Sequence, residues 1–83
     1  MKNKEWVLNR IDEMVKVPEM FASTRESFIV QIWTMLEMLE IDNNIIRDVL
    51  ADKLNFSSNE DDYVNREFAE DIAFIANVIL KDI

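Results

Sequence analysis

Not one of the 83 residues is glycine, and proline occurs once. A chain without glycine has no residue that enters positive φ freely, which counts against tight hairpins of the Asn-Gly type. The same absence removes the P-loop and the dinucleotide fingerprint, because both bring backbone close to phosphate with no Cβ in the way. Cysteine and histidine are also absent. That excludes the usual zinc sites, a thiol nucleophile, a disulfide framework and an imidazole base.

Hydrophobic residues make up 49% of the chain, the composition of a folded protein and not of a disordered acidic tail. Four segments carry a helical period, and none alternates as a strand does. In the first, Val7, Leu8, Ile11, Met14 and Val15 share one face. Pro18 ends that helix and pushes Val17 towards an extended conformation. The link from Pro18 to Ala22 carries Met20 and Phe21 and is expected to pack down as a strap. Ser23-Thr24-Arg25-Glu26 reads as a capping box, with Ser23 as the cap and Glu26 reaching back.

The second helix is expected to run to about Glu40. Between Phe28 and Leu39 only Gln31, Thr34 and Glu37 are polar, and they share one stripe, so this helix is placed at the centre of a bundle or against another chain. Asp42 or Asn43 can cap the third helix, whose expected buried line is Ile46, Val49, Leu50 and Leu54. Asn55 suits the left-handed position after it. Ser57 with Glu60, or Ser58 with Asp61, can open a last helix that reaches about Lys81 and buries Val64, Phe68, Ile72, Ile75 and Ile79. Trp6, Trp33 and Tyr63 read as core or core-edge residues, and Met35 and Met38 as gap-fillers. The expected fold is all-α, a single compact domain of about four helices with the second central.

Few residues suggest chemistry. Asn59, Asp61, Asn65 and Glu70 have the spacing of a calcium loop, but Tyr63 takes a ligand position and Val64 stands where glycine is needed. A di-metal carboxylate site lacks its histidines. No catalytic residue, metal site or cofactor is expected.

Charge says more. Nine Lys+Arg against seventeen Asp+Glu give −8. Residues 1–25 hold five bases and four acids, whereas residues 26–83 hold four bases and thirteen acids, a balance of −9. Such a chain is a poor binder of nucleic acid or anionic lipid, and its acidic half suits a basic protein. Two groups stand out. Glu37, Glu40 and Asp42 crowd the C-terminal end of the second helix, where the dipole disfavours acids. Phe74, near Val78, is flanked by Glu67, Glu70 and Asp71, an apolar anchor with a charged rim.

The expected function is therefore that of a small acidic module that neutralises a basic partner, such as an immunity protein or a phage anti-defence inhibitor. The alternatives are a self-associating structural or adaptor module, dimeric through the second helix, and an oligomer that sequesters a small ligand between subunits. An anionic ligand would have to rely on Lys2, Lys4, Arg10, Lys16 and Arg25. The longest uncharged run, Ser27 to Leu36, is far below the ~20 apolar residues of a membrane span. Nor does Met1-Lys2-Asn3-Lys4 open a signal peptide, so a cytoplasmic location is expected.

Overall fold

The computed structural model describes residues 3–54 and 63–81, and for 51–54 the backbone alone. Four α-helices account for most of it: α1 (Lys4–Lys16), α2 (Arg25–Met38), α3 (Asn43–Leu54) and α4 (Arg66–Lys81). The Asn3 side chain caps α1 by accepting from the Trp6 amide at 2.8 Å. Val7, Ile11 and Met14 are buried along it, with Leu8 and Val15 on the flank. Val17, expected to be extended, has left the helical region with φ −141° and ψ 67°, short of a full extended conformation, and the helix stops there.

Pro18–Met20 forms one 3₁₀ turn. Side chains three apart eclipse in such a turn, so Pro18 and Phe21 share the inner side. Phe21 packs on the core, and the Gln31 amide ties its carbonyl to α2 at 2.6 Å. Met20, expected to pack down with it, falls on the outer side and is 80% exposed.

The start of α2 lies one residue later than the capping box implies. Thr24, not Ser23, is the cap, and its hydroxyl accepts from the Ser27 amide at 3.1 Å. The reason is long-range: Thr24 bridges to Tyr63, and the Ser23 carbonyl accepts from the Val64 amide at 3.5 Å. That pairing keeps Ser23 outside the helix and Thr24 extended, so the first hydroxyl facing the free amides is that of Thr24. Ser27 then stands three residues after the cap, and the reciprocal half of the box is missing. Thr24→Ala should cost about 1 kcal/mol and Ser23→Ala less than about 0.5 kcal/mol, measured by urea unfolding.

The end of α2 is a Schellman motif without glycine. The Glu40 amide donates to the Glu37 carbonyl at 2.9 Å and the Ile41 amide to that of Leu36 at 3.4 Å. Leu36 and Ile41, the apolar pair of this motif, are both buried. Glu40 occupies the left-handed position with φ 62°, the one positive φ among the described residues. A side chain there costs about 1–2 kcal/mol, and an acid at a helix C-terminus adds a few tenths. Glycine removes both penalties but gains freedom in the unfolded chain. Glu40→Gly is expected to stabilise by about 1 kcal/mol net, seen as a higher urea midpoint at unchanged slope.

In α3, Ile46 and Leu50 are buried as expected, while Val49 joins Ile45 on the exposed side. The side chain of Leu54 lies outside the described residues, as do Asn55, Ser57, Ser58, Glu60 and Asp61. The last helix begins later than its candidate serine caps suggest. Asn65 opens α4, its side chain accepting from the Phe68 amide at 2.8 Å. Residues 63–65 precede it as a short extended stretch. There Val64 turns inward and Tyr63 outward, so Tyr63 is exposed and not a core residue.

Both α2 and α4 pack against all three other helices and form the middle of the bundle. The centre of α2 is Phe28, Ile29, Ile32, Met35 and Leu36. From α4 come Phe68, Ala69, Ile72, Ala73, Ala76, Ile79 and Leu80. Ala69, Ala73 and Ala76 present only methyl groups, which lets neighbouring helices approach closely. Among the described residues no polar or charged side chain is buried, so the interior is held by apolar contact alone. The radius of gyration is 12.1 Å, close to the ~12 Å of a compact chain of this length.

Candidate partner-binding face

The face opposite the core on α4 is set by the period of its own sequence. At about 100° per residue, Phe68, Ile72, Ala76 and Ile79 fall inward, which turns Glu67, Glu70, Asp71, Phe74 and Val78 outward. All five are exposed. The Phe74 ring is 67% exposed and Val78, one turn further on, 51%. Burying such a pair would be favourable by roughly 25 cal/mol per Å² of apolar surface covered.

The start of this helix is firmly held. Arg25 donates from Nε to the Tyr63 carbonyl at 3.2 Å, and its guanidinium lies over the Phe68 ring, 4.8 Å from the centre. The first turn of α4 is thereby fastened to the first turn of α2, which fixes where the acids that follow are presented. Glu70 lies 4.0 Å from Arg66 on the same helix, with both side chains well exposed, an arrangement worth little in water.

Beside Phe74 a groove of about 350 Å³ runs between α4 and α1. Glu70, Phe74 and Asn77 line it from α4, and Leu8, Asp12 and Val15 from α1. Periodicity placed Leu8 and Val15 on one face with Val7, Ile11 and Met14, but gave no sign that α4 would lie alongside them or that they would be only partly buried.

Glu37, Glu40 and Asp42 are all exposed around the turn from α2 to α3. Asp42 accepts from the Asn44 amide at 2.8 Å and caps α3, where the dipole favours an acid. Glu40 is the left-handed residue of the α2 terminus, and Glu37 is exposed on α2 itself. Of the three, Asp42 has a local structural role, as the cap of α3. Elsewhere on α2, Val30 and Met38 are exposed on an outward stripe with Thr34 between them, so the bundle leaves part of its apolar circumference uncovered. Trp33 is half-buried, and its indole N–H donates to Asn43 Oδ1 at 2.8 Å.

Among the described residues no group of three or more acids is close enough to hold a metal ion, and no helix is long and apolar enough to cross a membrane. Asn59 and Asp61 of the calcium-loop spacing lie outside the described residues. In comparisons with known proteins the chain matches no family model, no curated protein and no solved structure.

Proposed function

We propose that this chain is a small acidic helical binding module that neutralises a basic protein partner, in the manner of an immunity protein or an anti-defence inhibitor. The observation that supports it is the exposed Phe74–Val78 pair framed by Glu67, Glu70 and Asp71 on a helix whose start is pinned to the bundle. A role of this kind needs no catalytic group. It needs a stiff scaffold, a negative field that speeds encounter and a few apolar anchors.

The test is a binding assay on the partner recovered from the native host with the immobilised protein. Glu67→Lys and Glu70→Lys should slow association several-fold and flatten its salt dependence, while dissociation changes little. An affinity indifferent to salt would count against an electrostatic binder.

A second reading, self-association through α2, is supported by the Val30, Thr34 and Met38 stripe. Light scattering separates the two readings. A mass held at 9.8 kDa at high protein concentration would remove it.

A further inference from the structure

Two phenylalanines of this chain are covered by its own arginines. The Arg10 guanidinium lies 4.7 Å from the centre of the Phe21 ring, and that of Arg25 lies 4.8 Å from the centre of Phe68. Phe28 is buried and meets Phe68 edge-on. Phe74 instead turns its ring to solvent at the edge of the α1–α4 groove. One carboxylate from each helix, Asp12 and Glu70, lines that groove together with the apolar Leu8 and Val15.

We propose that the groove receives an arginine side chain of the basic partner, an inference that rests on the reading of the chain as an acidic binder. The guanidinium stacks on Phe74 and donates to Asp12 and Glu70, and the methylene stem lies against Leu8 and Val15. Arginine fits this combination better than lysine. Its plane stacks on an aromatic face, its donors can serve two carboxylates at once, and it is less strongly hydrated. Among the described residues both carboxylates have only intrahelical partners: Lys16 lies 3.4 Å from Asp12, and Arg66 lies 4.0 Å from Glu70. All four side chains are well exposed, so these pairs are weak and exchange readily for an incoming cation.

The experiment titrates the isotope-labelled full chain with two twelve-residue peptides of equal charge. One alternates arginine with serine, the other lysine with serine, and both are followed by NMR at low salt. The expected result is shifts centred on Asp12, Glu70 and Phe74, with the arginine peptide binding about two- to fivefold tighter. Phe74→Leu, which keeps an apolar side chain but loses the π face, should abolish that preference. Asp12→Asn with Glu70→Gln should weaken binding about tenfold, against less than about twofold for Glu19→Gln with Asp48→Asn, which removes the same charge elsewhere.

Equal binding of the two peptides, or shifts centred on the Ile45 and Val49 side of α3, would overturn the groove and leave the acidic binder standing. No binding of either peptide would overturn both.

Discussion

Phe28→Ala is expected to lower stability by about 3–5 kcal/mol, the range for truncating a large buried aromatic. An 83-residue chain has about 4–12 kcal/mol in total at typical stability per residue, so this one change should remove about a quarter of it or more. Phe28 is fully buried, and its ring meets Phe68 edge-on at 6.3 Å between centroids and 69° between planes. Phe68 in turn carries the Arg25 guanidinium, which also holds the Tyr63 carbonyl. Removing the Phe28 ring therefore opens a cavity beneath the join that fastens α4 to α2. Trp33→Ala offers the contrast, since it removes a half-buried indole and one hydrogen bond at the bundle's edge. Urea melts should show Trp33→Ala as clearly the milder change. Equal midpoints for the two variants would mean that the centre of the bundle is not where Phe28 lies.

Where local chemistry decides alone, the sequence was legible. The inward lines of α1 and α4 follow from spacing: Val7, Ile11 and Met14 in one, and Phe68, Ile72 and Ile79 in the other. The stop at Pro18 follows from the missing N–H and the constraint on Val17. Tertiary pairing took over at two helix starts. Ser23, Thr24, Ser57, Ser58 and Asn65 can all cap, and the choice of Thr24 and Asn65 is tied to the bridge between Thr24 and Tyr63, across residues far apart in the chain. No local rule contains that contact. The left-handed Glu40 was hidden for another reason. With no glycine available, the position carries no mark in the sequence and is revealed only by the Leu36–Ile41 closure around it. At the candidate site, the outward position of Phe74 could be read from the wheel of α4. The α1 wall of its groove could not, because a period says which side a residue faces and not which helix lies there.

Phe74→Ala should separate binding from folding more sharply than any other substitution. The ring lies on the solvent side of α4 and contributes little to the core, and alanine is the better helix former by a few tenths of a kcal/mol. Thermal and urea stability are therefore expected to stay within about 0.5 kcal/mol of the parent, or to rise slightly. Binding to the basic partner should fall by about 2 kcal/mol or more, chiefly through faster dissociation, as it does when a central anchor is removed from an interface. Charge reversal at Glu67 acts on the opposite limb, because a rim charge works through the long-range field during encounter. Measured together at two salt concentrations, the two variants assign separate roles to the anchor and its rim. A Phe74→Ala protein that unfolds more easily by a core-sized amount would place the ring in packing, and one that dissociates at the parent rate would remove Phe74 as the anchor of α4.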